Sequence, residues 1–365
     1  MYKILPFFRS IQNYSKDKFK GDLSAGLTVG VMLIPQGMAY AMIAGLPPIY
    51  GLYASTVPII IYALLGTSQQ LAVGPAAMIA LLTAAGVGAL APAGSEQYIS
   101  LAITLTLIVG VMHVVLGTLR LGILVNFISH PVISGFTSAA AIIIFLSQLK
   151  NLLGFQIPRG EHTFDTLAYA IQHIKETHSL TLLISIVSIV VLVVLKKVKS
   201  IIPGPIVIVI LGILGVTFLG FQDQISIVGS VPEGLPSFII PNFNKEIIID
   251  LAPLALIIAL IIFMQSIAVA KAVHIQHKDY KILPNQELIA LGAANIAGSF
   301  FQSFPTTGGL ARTAVNDQAG AKSVVASLIT ATLIILTLLF LTPLFSNLPN
   351  AVLAAIITVA VYSLE

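Results

Sequence analysis

From Leu23 to Ser95 this chain carries no charged side chain, yet the stretch is punctuated by Pro35-Gln36-Gly37, Pro47-Pro48, Pro58 and Gly74-Pro75. A helix needs only ~20 apolar residues to cross a bilayer, so the segment accommodates several crossings, some of them interrupted. An interruption inside lipid frees backbone N–H and C=O groups that only neighbouring protein or cavity water can satisfy. Such breaks point to a transporter or channel; the competing reading is a receptor-like bundle of kinked helices.

Hydrophobic residues make up 57% of the chain and charged residues 9%, with a mean hydropathy of +1.00. The expectation is an integral, multi-pass membrane protein. With no cysteine, disulfides, thiolate metal ligands and thiol nucleophiles are excluded. The formal net charge is +4 and the pI 9.2, which in a soluble protein would suggest a nucleic-acid partner. Here the positive-inside bias of membrane proteins accounts for the lysines, and no nucleic-acid partner is expected. Met1–Gly21 carries Lys3, Arg9, Lys16, Lys18 and Lys20 but no small-residue cleavage site after a short apolar core. It reads as a cytoplasmic arm lying along the lipid surface.

Apolar windows predict segments near 24–45, 50–66, 75–88, 98–118, 127–148, 180–196, 203–219, 251–271, 286–301, 308–319, 323–342 and 348–363. Of these twelve, the third and tenth are too short to cross. A cytoplasmic N-terminus places Lys3, Arg9, Lys16, Lys18, Lys20, Arg120, Lys196, Lys197, Lys199, Lys271, Lys278, Lys281 and Lys322 inside, against Lys150, Arg159, Lys175 and Lys245 outside. That asymmetry is the one the positive-inside rule expects, and a bacterial inner or plasma membrane is the expected location. Two polar stretches then face outward. Lys150–Thr177 contains an apolar-faced Phe164–Lys175 suited to an interfacial helix, and Gln222–Asp250, with three prolines, reads as an irregular loop.

The two short segments share a design. Gln69–Pro75 is extended and leads into a helical Ala76–Ala85, with Pro75 suited to a first turn; Phe304–Gly309 is extended and leads into Leu310–Ala319. They stand seven spans apart, and because seven is odd the second half enters from the opposite side, as an inverted repeat. Each half-helix would start near the midplane, where its free N–H groups make an anion seat. Arg312, one turn into the second half-helix, is the basic residue placed within a span. It serves either to attract an anion or to form a salt bridge with Asp317 or Glu287.

Leu33–Ala41 (LIPQGMAYA), Gly45–Ser55 (GLPPIYGLYAS), Gly66-Thr67-Ser68 with Val73-Gly74-Pro75, and Asn285-Gln286-Glu287-Leu288 with Gly298-Ser299-Phe300-Phe301 resemble the signature of the SulP family of anion transporters. The similarity runs along essentially the whole chain. The resemblance implies an all-α polytopic membrane fold of two inverted seven-helix repeats, with two broken half-helices preceded by short β-strands. It further implies a core domain in 23–125 and 251–343, a gate domain in 126–250 and from 344 to 365, and an arm in 1–22. By the same comparison the chain would stop after helix twelve, with the last two gate helices and the cytoplasmic STAS domain absent.

In that family the substrate lies between the two half-helix starts, beside a glutamine and an aromatic on the first helix. The matching positions are Gln36 and Tyr40, four apart on one helix face, Ala76, and Gly309, Leu310, Ala311 and Arg312. Many relatives carry a serine where Ala311 stands, so contacts there would rely on backbone N–H groups. Gln265, in Phe263–Lys271, occupies the position where proton-coupled relatives carry a glutamate; a glutamine cannot titrate, so the position is a candidate coupling site without its usual chemistry. His113 and His130 remain as titratable groups of the membrane region, read first as helix–helix hydrogen-bond partners.

Gly110, Gly117, Gly122, Ala139–Ala141 and Ala290–Ala297 are small residues that let helices approach closely, and a homodimer is one oligomer the family offers. Asn13-Tyr14-Ser15 fits a glycosylation acceptor but falls on the inner side. No phosphate-binding loop, zinc motif, carboxylate pair or nucleophile elbow is found, so neither an enzyme, a metal nor a cofactor is expected. The reading is an elevator-type secondary carrier of a small inorganic anion, sulfate or bicarbonate first, in contact with membrane lipid and with proton or sodium as coupling ion. The alternatives are an exchanger or channel-like uniporter for chloride, oxalate or dicarboxylates, an inactive transmembrane piece acting as an assembly partner, and the nucleobase permeases, which hold base edges with buried carboxylates that are not expected in this chain.

Overall fold

The computed structural model describes residues 6–10, 14–123, 130–157, 163–198, 203–275, 277 and 280–362. Lys3, Asn13, Arg159, Lys199 and Lys278, and the side chains of Arg9, His130 and Ala140, lie outside the described set. In chain order the helices are α1 (Phe7–Ser10), α2 (Lys16–Ile43), α3 (Ile49–Tyr53), α4 (Val57–Leu65), α5 (Ala77–Val87), α6 (Glu96–Thr118), α7 (His130–Leu153), α8 (Thr163–Gln172), α9 (Ser179–Lys197) and α10 (Gly204–Leu219). They continue as α11 (Lys245–His274), α12 (Pro284–Ser299), α13 (Leu310–Gln318), α14 (Val325–Phe340) and α15 (Asn350–Tyr362). Two strands, β1 (Val73–Gly74) and β2 (Thr307–Gly308), pair antiparallel, with Val73 opposite Gly308 and Gly74 opposite Thr307.

The boundaries follow local chemistry. The Ser15 hydroxyl accepts the Lys18 N–H at 3.2 Å, and Asp17 adds a favourable charge in the first turn, so α2 begins eight residues before its apolar run. Ser95 caps α6 in the same way through the Tyr98 N–H at 3.1 Å, and Asn244 caps α11 through the Glu246 N–H at 2.8 Å. That cap makes 245–250 helical, where composition predicted loop. The predicted second span is likewise divided into α3 and α4, with Pro58 in the first turn of the second piece.

The chain forms two compact units, Met1–Ser129 with Gly234–Leu338, and His130–Glu233 with Leu339–Glu365. In the first, α6 packs on α12 and α11, and α12 on α4. The contact of α6 with α12 is made by glycines from both sides: a Cβ on Gly292 would stand 2.7 Å from the Gly110 carbonyl oxygen, and one on Gly110 2.8 Å from that of Gly292. Only hydrogen at those positions permits the approach. The turn after α2 needs glycine for a different reason, since Gly45 has φ +78° and its α-carbon faces the Tyr98 ring.

Asp22, fully buried, accepts the N–H groups of Lys322 and Ser323 at 2.6 and 2.9 Å, the Ser323 hydroxyl, and the Tyr14 hydroxyl at 2.8 Å. It thereby fastens the start of α2 to the turn between α13 and α14. Burial and the adjoining Asp22 carboxylate hold the Tyr14 phenol well above its ordinary pKa, so the proton stays in this bond. In the second unit, α15 packs on α9 and α7, and α10 on α9.

Candidate functional site

Two extended segments at bilayer depth would leave costly unpaired backbone groups unless protein supplied partners, and it does. Beyond the β1–β2 pairing, the Gly309 N–H reaches the Ala72 carbonyl at 3.0 Å, and the Ala72 N–H reaches the Thr313 hydroxyl at 3.0 Å. Ser266 of α11 accepts the Gly308 N–H at 2.9 Å. Asn316 of α13 donates to the Gln70 carbonyl at 2.8 Å. Asn295 of α12 accepts the Thr306 N–H at 2.8 Å and donates to the Thr306 carbonyl at 3.2 Å. Its amide thus pairs with both polar groups of one residue, as a neighbouring strand would.

This cradle brings the starts of α5 and α13 together. Their N-caps are Ala76 and Gly309, both in extended conformation and neither making a side-chain cap hydrogen bond. The first-turn N–H groups of each helix have no intrahelical acceptor by helix geometry, and carry the positive end of the helix dipole. Pro75 precedes α5 and has no N–H of its own.

Arg312 ties the two ends. It is 2% exposed; its Nη1 donates to the Pro75 carbonyl at 2.6 Å, and its guanidinium lies beside the backbone of Gly309 and Gly74. Its Nε and Nη2 are buried and have no hydrogen-bond partner among the described residues. These two atoms form one edge of the guanidinium fork, the edge that takes two oxygens of a carboxylate or other oxyanion at once.

The salt-bridge alternative for Arg312 is not realised. Asp317 pairs instead with His277 at 2.5 Å. Glu287 accepts from the Tyr62 hydroxyl at 2.7 Å, the Thr67 N–H at 2.6 Å and the Thr67 hydroxyl and Ser68 N–H. The geometric reason is distance along the fold: Glu287 sits at the start of α12 and is consumed in holding the turn after α4.

Gln36 and Tyr40 are 4% and 7% exposed, one helical turn apart on α2, which packs against α5 and α13. Tyr40 is within electrostatic reach of Arg312. The Gln36 Oε1 is buried without a hydrogen-bond partner among the described residues. Leu310 and Ala311 are exposed and their side chains carry no hydrogen-bonding group, so what they can donate to a ligand is backbone N–H. Gln265 is half-buried on α11, its Oε1 also without a partner among the described residues, next to the Ser266 that holds β2. His113 places Nε2 2.8 Å from the Ala259 carbonyl, a contact between α6 and α11.

Sequence reasoning passed over Asn295, Ser266, Thr313 and Asn316, which build the cradle, and undervalued Glu287, a fully buried carboxylate inside a predicted span. The available signal was an isolated hydrogen-bonding side chain in an apolar run, such as Asn295 within Ala293–Ala297.

Chemically, the site presents a fixed cation, two helix starts whose first-turn N–H groups have no intrahelical acceptor, and an amide, with no carboxylate on the cation among the described residues. The sequence profile of the sulfate permease family matches residues 19–365. The chain is 41% identical over 370 residues to sulfate transporter 4.1, chloroplastic, of Arabidopsis thaliana, a match covering 99% of this chain and 54% of the relative, so the chain spans about half the length of that protein. Among solved structures, the murine Solute Carrier 26 family member A9 anion transporter in the inward-facing state superposes with a TM-score of 0.93 at 28% identity, over 100% of this chain and 64% of that one. The transmembrane domain of a cyanobacterium bicarbonate transporter, BicA, superposes with a TM-score of 0.86 at 23% identity, over 96% of this chain and 90% of that one, a likeness of fold. The half-helix pair, the cradle around it and these matches lead to one conclusion: the chain belongs to the sulfate permease family, a family of anion transporters and not of enzymes.

Proposed function

We propose that this chain carries a small inorganic anion across the membrane by alternating access, with the anion seated at the starts of α5 and α13. The observation that carries the reading is Arg312, a buried cation with no carboxylate partner among the described residues and one donor edge unspent. An arginine at bilayer depth costs ~3 kcal/mol or more on insertion scales, and a bound anion offsets that cost. The Gln36 amide, the Tyr40 ring, the backbone at Ala76 and the N–H groups of Leu310, Ala311 and Arg312 complete the seat, with Gly309 as the N-cap whose own N–H is held by the Ala72 carbonyl.

The unit containing the site would serve as the moving core and the other as the gate, in an elevator-type cycle, with the N-terminus cytoplasmic. Sulfate leads as substrate because the sequence relative is named for sulfate transport, with bicarbonate next. Gln265 is proposed as the coupling position, silent toward protons because its amide does not titrate.

The test is uptake of labelled sulfate and bicarbonate into proteoliposomes, at matched pH and then with an imposed proton or sodium gradient. Arg312→Ala should abolish uptake of whichever anion is carried, and Lys175→Ala, on the stretch between α8 and α9, should leave it unchanged. Equal losses from the two substitutions overturn the site, and no uptake by folded protein overturns transport of these anions by this chain.

A further inference from the structure

α7 and α9 meet at one end: the His178 N–H donates to the Leu153 carbonyl at 2.9 Å, and the Ser185 hydroxyl to the Leu152 carbonyl at 2.9 Å. The excursion from Gly154 to Thr177 therefore leaves and returns at the same level, just beyond the first turn of α9, which is long and apolar enough to cross a membrane. α8 lies within that excursion and packs against α7.

The side chains of α8 and of the turn after it are sorted. Tyr169, Ala170 and His173 turn inward, Ala170 being buried and the Tyr169 and His173 rings stacking at 3.9 Å. Leu167 and Ile171 lie one helical turn apart on another side of α8, Ile174 opens the short 3-10 turn (Ile174–Glu176) that follows, and the three are 37%, 63% and 55% exposed. Asp165, Gln172 and Glu176 are exposed on a third. An apolar stripe bordered by charge suits neither water nor the hydrocarbon core, and matches the boundary between them. The flank of α9 supplies the continuity: Leu183, Ile186, Val187 and Val190 are all at least half exposed along it, as a lipid-facing surface would be.

We infer that α8 and the turn after it are a membrane-surface anchor, with Leu167, Ile171 and Ile174 seated in the interfacial zone of a phospholipid bilayer at the end of α7 and α9. The anchor fixes the height of that end of its unit against the bilayer. It is independent of the anion site.

The chain has no tryptophan and no cysteine, so single probes report without background. In nanodiscs whose phospholipid chains carry bromine, Ile171→Trp and Leu167→Trp should emit at shorter wavelength than Gln172→Trp and lose most of their fluorescence to the bromines, whereas Gln172→Trp is quenched by aqueous iodide instead. A parallel set without the bulky ring uses Ile171→Cys and Gln172→Cys: a water-soluble maleimide should label the second at least tenfold faster. Ile171→Trp quenched by iodide like Gln172→Trp overturns the inference by placing the stripe in water. Shielding from both quenchers overturns it by placing the stripe under protein.

Discussion

Arg312 matters for its geometry as much as for its charge. With Nη1 committed to the Pro75 carbonyl, the remaining Nε and Nη2 edge is planar and held in place. A lysine would keep the charge without the fork. Arg312→Lys should therefore raise the half-saturating concentration of the transported oxyanion by about tenfold or more, read from the concentration dependence of labelled uptake. Gln265→Glu should make uptake steeper with an inward proton gradient if the position couples; an unchanged pH dependence counts against that role. Arg312 was legible in the sequence as the basic residue within a predicted span; Gln36 and Tyr40 were legible only through the resemblance to a known family, since a lone glutamine or tyrosine in an apolar helix is more often packing than site. The unspent edge of Arg312 was not legible, since it depends on where Asp317 and Glu287 find other partners.

At the scale of elements, the strand–half-helix units persist because side chains from three helices satisfy their backbones. Asn295→Ala would leave the Thr306 N–H and carbonyl unpaired in a buried setting, at a cost of about 1–3 kcal/mol per group. The expected result is a lowered unfolding temperature in detergent, together with weaker anion binding, since Thr306 leads directly into β2 and α13. Gly292→Leu should be at least as disruptive, because its first side-chain atom would already meet the Gly110 carbonyl; thermal unfolding of the purified protein checks it. The half-helices and their extended lead-ins could be read from Pro75 and from Thr307-Gly308-Gly309. The antiparallel register could not, because it joins residues more than two hundred positions apart and is set by Ser266, Asn295 and Thr313 together.

At the scale of the whole molecule, the proposed orientation is open to a direct test in a chain without native cysteine. Lys18→Cys should react with an impermeant maleimide only from the cytoplasmic side, and Lys245→Cys only from the opposite one; the reverse pattern would invert the topology. By itself the sequence determined that this is a helical membrane-type chain with two short interrupted segments and a basic residue, Arg312, at one of them. Apolar run length, proline and glycine placement and lysine distribution are local properties, and the energetics of lipid act on them locally. Tertiary structure decided which buried polar groups satisfy one another: Glu287 with Tyr62 and Thr67, Asp317 with His277, Asn295 with Thr306. It thereby decided that the Nε and Nη2 edge of Arg312 has no partner among the described residues, because hydrogen-bond partnership between distant segments depends on packing in three dimensions, which spacing along a chain does not encode.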